Sequence, residues 1–172
     1  MLIRPMLEPD LVAYKALRDA MLAGHPDAFT SDAETEVQRD LASYRSRLSS
    51  GDGSGTLFTL LALAGGRVVG ALTCEREARR KVQHIAHLVG MMVAETHRGR
   101  GIGRALLADA IARLQATPGL AQVTLSVTAS NRTAVGLYES VGFVRYGRLP
   151  DAVRLPDGRQ LDKDLMLRRL HG

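Results

Sequence analysis

Several absences narrow this 172-residue chain before any motif is read. It has one cysteine, Cys74, so no disulfide can form within the chain and a reducing compartment suits it. Cys74 itself reads as a small buried hydrophobe in a strand. There is no tryptophan and there are only three Phe and four Tyr, which leaves little material for stacking nucleic-acid bases. The apolar run at 57–64 is far short of the roughly 20 residues that a membrane-crossing helix needs. The opening MLIRPMLEPD has no apolar h-region, so it is not read as a secretory signal. No Gly-Lys pair occurs, which excludes the P-loop GxxxxGK[ST]. The expectation is a soluble, cytoplasmic protein with no membrane partner.

Hydrophobic residues make up 45% of the chain, so its core is built mainly of Leu, Val, Ala and Ile. The length fits a single domain over 1–172 with a sizeable core. The formal net charge is +5, but basic residues are interleaved with acids rather than striped. Even the densest cluster, Arg76 to Lys81, is interrupted by Glu77 and Ala78. A scattered basic balance suits an enzyme whose cofactor carries several phosphates better than a nucleic-acid partner. A nucleic-acid role would show steeply salt-dependent binding.

Residues 2–7 read as a first strand, and Leu11 to Ala23 as a helix after the Glu8-Pro9-Asp10 start signal. A second helix is expected from a Ser31 or Asp32 cap through about Leu48, followed by a flexible turn at 49–55. Thr56 to Ala64 and Arg67 to Arg76 form a hairpin about Gly65-Gly66. Val82 to Val93 is nearly all apolar past His84, as for a central strand covered on both faces, with Gly90 marking a bulge or close approach. A helix runs from Ile102 to about Ala116, a strand over 123–127, and a shorter helix over 131–141 ending at Gly142. Strands follow at 143–147 and 161–167, joined through 150–158. Strand pairs followed by strand-helix-strand-helix-strand predict an α/β fold, one mixed sheet with helices on both faces.

The stretch HLVGMMVAETHRGRGIGRALL, residues 87–107, organises the rest. An apolar strand leads to a loop in which Gly99, Gly101 and Gly103 alternate with Arg98, Arg100 and Ile102, and then to a helix. Such a loop points unpaired N–H groups at one spot, at the positive end of the helix dipole. That is an anion site, most naturally for phosphate or pyrophosphate, and Arg98, Arg100 and Arg104 add charge around it. The dinucleotide fingerprint GxGxxG does not fit, because Arg104 stands where its third glycine belongs and no acid lies near 121–123.

Arg98, Gly101 and Gly103 instead match R-x-x-G-x-G at the end of an apolar strand. Further on, SNRTAVGLYESVGF (130–143) matches N-x-x-A-x-x-L-Y-x-x-x-G-F through Asn131, Ala134, Leu137, Tyr138, Gly142 and Phe143. In order and spacing the two motifs resemble the signatures of the GNAT N-acetyltransferase superfamily. They cover roughly 87–143, and the remaining elements fit the expected order to Leu170. The resemblance implies a central mixed, mostly antiparallel sheet, splayed between the strands at 82–93 and 123–127. It implies acetyl-CoA as co-substrate, its pantetheine along Met91, Met92 and Val93 and its pyrophosphate on amides of Gly99, Arg100, Gly101, Ile102, Gly103 and Arg104. Asn131 would contact the cofactor, although from the residues alone it reads equally as an ordinary helix N-cap. A homodimer is a habit of the family.

The implied reaction is direct attack of an amine on the thioester in a ternary complex. Tyr138 resembles the family's general acid; an isolated Tyr on such a helix would be core with a wet tip. The backbone N–H near Met92 or Val93 would polarise the carbonyl. The base stays open. Residues 82–93 hold no carboxylate; His84, His87, Glu75 and Glu95 remain, each with an ordinary structural reading beside it. Three apart on a strand, His84 and His87 face opposite sides, so no metal is expected. A lysine ammonium costs roughly 4–5 kcal/mol to deprotonate at pH 7, an α-amine only about 1.4, so a missing base matters less for the second. The acceptor is a small-molecule amine or a protein or peptide amine, which the resemblance places against about 10–50 and 148–160; Asp27, Asp32, Glu34 and Asp151 there could attract a cationic amine, but read first as solvated surface. A non-catalytic acyl-CoA-binding module of the same fold is the competing reading.

Overall fold

The structure, a computed structural model, describes residues 1–51 and 55–171. Its described strands make one seven-stranded sheet in the order β1-β2-β3-β4-β5-β7-β6. These are β1 (Leu2–Pro5), β2 (Gly55–Ala64), β3 (Arg67–Arg76), β4 (Ile85–Val93), β5 (Gln122–Thr128), β6 (Val144–Arg154) and β7 (Gln160–Arg169). The helices are α1 (Leu11–Gly24), α2 (Ala33–Val37), α3 (Ile102–Ala116) and α4 (Arg132–Ser140). Only the β4–β5 pair is parallel; the other strand pairs are antiparallel.

Alternation along the central strands sorts the core onto two faces. Leu60, Ala62, Leu72 and Cys74 point to one side, where Ile102, Leu106, Leu107, Ala110, Ile111 and Leu114 of α3 bury a single helical stripe. Leu61, Ala71 and Met92 point to the other, beneath Leu11, Tyr14, Leu17 and Met21 of α1. Helices therefore cover both faces. No described helix is long and apolar enough to cross a membrane.

Three elements differ from the expectation. The single helix foreseen over 31–48 is instead α2, capped by Asp32 accepting from the Thr35 amide at 2.8 Å, and a separate 3-10 segment, Leu41–Arg47, capped by Asp40. The break lets Arg18 and Tyr44 converge on one buried carboxylate: Arg18 Nε donates to Glu36 Oε1 at 2.5 Å, and Tyr44 OH donates to the same oxygen at 2.6 Å. Strand β4 begins at Ile85 rather than Val82, because residues 79–85 close a turn through the Val82 and Ile85 amides. Strand β6 runs past Pro150 to Arg154, with an irregularity between Leu149 and Val153. Proline is tolerated there because β6 is the edge strand. The expected turn at 49–55 falls partly outside the described residues.

Burial opposes charge on Glu36, but the hydrogen bonds from Arg18 and Tyr44 outweigh it and hold its carboxyl below the ordinary carboxylate range. Its ion pair thus contributes stability above the unfolded pKa of about 4.3 and loses it as pH falls through the lower folded value. Glu36→Ala, which strands the Arg18 guanidinium in the core, should cost about 3–5 kcal/mol at pH 7 in urea denaturation. The difference from the parent should shrink below about pH 4. A loss under about 1 kcal/mol at pH 7 would show that the cluster does not hold the segment.

Candidate functional site

Strands β4 and β5 stay in register only at Ile85/Gln122, Ala86/Val123 and His87/Thr124. Past this point they part. The cause lies on the other edge of β4. Ala71 of β3 faces Met92 while Thr73 faces Val89, so Leu72 alone opposes Gly90 and Met91. Gly90 takes φ +61°, the left-handed value that lets one extra residue fit such a bulge. A bulge bends and twists its strand, here away from β5. Val89, Gly90 and Met91 consequently line an opening instead of being covered on both faces.

Two cavities occupy the opening, one of about 700 Å³ and one of about 290 Å³. Phe29, Met91, Asn131, Ala134 and Leu137 line both, so the cavities meet between β4 and α4.

The larger cavity is walled by Met91, Met92 and Val93, by Arg98 and Gly99, and by the first residues of α3. Gly101 is the helix N-cap at φ +74°, with no side-chain cap. Among the described residues, none of the amides from Gly99 to Arg104 has a protein hydrogen-bond acceptor. Five of these six amides, all but that of Arg100, belong to residues lining the cavity at the positive end of a fifteen-residue helix, a setting for an anionic ligand. Arg98 and Arg104 stand on the wall, whereas Arg100 is exposed nearby and does not line it. None of these three arginines pairs with a carboxylate among the described residues. Gly103 serves packing: a Cβ there would lie 3.0 Å from both Leu137 Cδ2 and Met91 Cε. Its bareness brings the head of α3 against α4 and β4.

The smaller cavity holds Tyr138. The ring is 7% exposed and packs edge-on against Phe143, with centroids 5.9 Å apart. Burial pushes its phenol pKa up, so it stays protonated at neutral pH. Its hydroxyl has no protein partner among the described residues, yet it is not one of the enclosed unpartnered atoms, so it opens on the cavity. Asn131 lies seven residues earlier on the same helical face, and its side chain accepts from the Ala134 amide at 3.1 Å as the N-cap of α4. It nevertheless lines both cavities.

The other candidates are not brought to the cavities. His84 is exposed and precedes β4, and its carbonyl accepts from the Ala121 and Gln122 amides. His87 sits at the closed end of the β4–β5 junction, with Nδ1 2.8 Å from Thr124 Oγ1 and Nε2 3.5 Å from Glu77. Glu75 accepts from Arg47 Nη1 at 2.8 Å, and it is Arg47 that lines the smaller cavity. Neither cavity is lined by a carboxylate. Asp27 pairs with Arg159 and Asp32 caps α2, surface roles rather than an attractor for a cationic amine. Asp151 and Glu34 also lie off both cavities.

The sequence did not single out Arg18, Phe29, Thr30, Ser31, Arg47 or Lys163, all of which line the smaller cavity, nor His25, which lines the larger. No motif carries them. They come from segments brought in by tertiary ties, such as Thr128 Oγ1 donating to the Asp27 carbonyl at 2.8 Å.

A family model described as Acetyltransferase (GNAT) family matches residues 15–143. The chain belongs to this family. It is 32% identical over 143 residues to the mycothiol acetyltransferase of Salinispora tropica, covering 80% of this chain and 46% of that one. It is 28% identical over 92 residues to N-alpha-acetyltransferase 30 of Schizosaccharomyces pombe, covering 54% of this chain and 61% of that one. The chain thus spans about half to three fifths of these relatives. Among solved structures, a GNAT acetyltransferase from Streptococcus pneumoniae superposes with a TM-score of 0.85 at 26% identity, covering 99% of each chain. The splayed mixed sheet is the GNAT fold, and both GNAT motifs border its opening.

Gly101→Val, forcing a branched side chain into a left-handed φ at a cost of about 1–2 kcal/mol, should weaken CoA binding at least tenfold by calorimetry. Gly103→Val should also weaken binding, by crowding Leu137 and Met91 at the head of α3. Unchanged affinity in both variants would contradict the loop's role.

Proposed function

We propose that the chain is an acetyl-CoA-dependent N-acetyltransferase that moves the acetyl group to a primary amine by direct attack in a ternary complex. The observation that carries this reading is the run of unpartnered amides heading α3, opening on a cavity that meets the one holding Tyr138. The donors and the flanking Arg98 and Arg104 suit a diphosphate. The pantetheine arm would follow Met91 to Val93, past the bulge where the β3–β4 ladder is disrupted. The thioester would then reach the place where the cavities meet, with the amine arriving from the smaller one.

Attack of a neutral amine on the thioester carbon makes a tetrahedral oxyanion; its collapse breaks the C–S bond and expels thiolate. An amide of β4 near Met92 or Val93 would hold the oxyanion. Tyr138, kept protonated by burial, would give its proton to the departing sulfur. The amine's own proton has no carboxylate or histidine to receive it in the smaller cavity, so it would pass to water. Of His84, His87 and Glu75, none lines the smaller cavity; His87 precedes the wall residue Leu88, and Glu75 holds the wall residue Arg47.

A hydroxyl aimed into the cavity without a structural partner favours turnover over a silent acyl-CoA-binding module. Tyr138→Phe should lower kcat by about 100-fold or more, with CoA affinity changed less than about twofold. Equal kcat in the two proteins would remove Tyr138 from the chemistry.

A further inference from the structure

Three cationic side chains, Arg18, Arg47 and Lys163, line the smaller cavity, and no carboxylate joins them. The acids that accompany the two arginines stand behind them: Glu36 at 2.5 Å from Arg18, Glu75 at 2.8 Å from Arg47, neither on the wall. Arg18 also donates from Nη2 to Ser31 Oγ at 3.0 Å, so these bonds fix the guanidinium groups while their acids stay off the wall. Lys163 has no such acid. On β7 its neighbour Asp164 points to the opposite side, as successive strand residues must, where it pairs with Arg148 at 2.7 Å and Arg145 at 3.5 Å. Among the described residues the Lys163 ammonium instead donates to Thr30 Oγ1 at 2.5 Å. Two of its three donors remain. Partial burial without an acid lowers its pKa, the sign of a charge short of solvation.

A wall of this kind repels a bare cationic amine and attracts an anion. At about 290 Å³ the cavity also sits at the small end of ligand sites, which run from about 300 to 1,000 Å³. We infer that the acceptor is a small amine carrying its own oxyanion, an amino acid or an amino-acid-like phosphonate, whose anionic group is held by Lys163 with support from Arg47 and Arg18. This rests on the acetyltransferase reading and names its substrate class. The anion anchored at Lys163 would leave the amine end free to turn toward the larger cavity and the thioester. A peptide N-terminus, whose carboxyl is consumed in an amide, offers that ammonium only a neutral carbonyl acceptor and no charge to pair with.

The test measures CoA release from acetyl-CoA with the full chain and three acceptor sets: L-amino acids and 1-aminoalkylphosphonates, the matching amino-acid amides, and an alanyl tripeptide amide. The oxyanion-bearing amines should exceed their neutral counterparts in kcat/KM by at least about tenfold, the worth of a charge-assisted hydrogen bond. Whether carboxylates or phosphonates lead distinguishes the two sources of the oxyanion. In Lys163→Met the acid-to-amide ratio should fall toward one, mainly through KM, and Lys163→Arg should restore most of it. Neutral amines or the tripeptide amide serving as well as the acids would overturn this inference and leave the acetyltransferase reading intact. So would a Lys163→Met variant that slows acids and amides alike with the ratio unchanged, the mark of a proton-transfer role. Failure of every amine to release CoA, in a protein that binds acetyl-CoA, would overturn both.

Discussion

Strands β4 and β5 share three register positions and then separate, and the rest of the molecule is arranged around that separation. A parallel pair that stopped pairing in an unbroken sheet would leave two rows of backbone polar groups without partners, a cost of a few kcal/mol for each buried group. The chain avoids this by giving each row a use or an exit. Gly90 kinks β4 away, α4 packs its Asn131–Tyr138 face over one side of the gap, and the head of α3 closes one end with its own unpaired amides. The same glycine that relieves the sheet thereby exposes backbone to a ligand.

Charge is sorted along the opening. The larger cavity faces helix amides and two arginines without carboxylate partners, a setting for phosphate. The smaller one is lined by two arginines paired with Glu36 and Glu75, and by one lysine with no acid beside it. Its roof, residues 26–31, is pinned to the sheet by Thr128 to the Asp27 carbonyl, by the Asp27–Arg159 pair at 3.2 Å and by Lys163 to Thr30. Ties of this kind hold a wall rigid without filling it, and a rigid wall lets binding energy orient a small molecule.

The glycine and arginine end of the opening was legible in the sequence because its chemistry is local. Glycines and arginines within seven consecutive residues, set between an apolar strand and a helix, place their amides by helix geometry alone. The Asn131–Tyr138 face was legible for the same reason, through helical spacing. Of the rest of the smaller cavity, only the stretch 10–50 was legible, and not which of its side chains line the wall. Arg18, Arg47 and Lys163 lie 29 and 116 residues apart in sequence, on a helix, a 3-10 segment and a strand, and converge only when the sheet folds. Helix-like composition over 31–48 also misled, since the buried Glu36 carboxylate, accepting from both Arg18 and Tyr44, outweighs the local preference for one continuous helix. His84 and His87 were attractive as residue types, but only the fold shows one outside the strand and the other tied to Thr124.

The central claim is that amides from Gly99 to Arg104 grip a diphosphate while β4, past its bulge, flanks the arm leading to the thioester. Backbone amide NMR during titration with CoA reads both at once. The amides of Gly99 to Arg104 should show the largest shifts, with Met91 to Val93 following in the same saturating transition. Saturable CoA binding that leaves those loop amides unmoved would contradict the account.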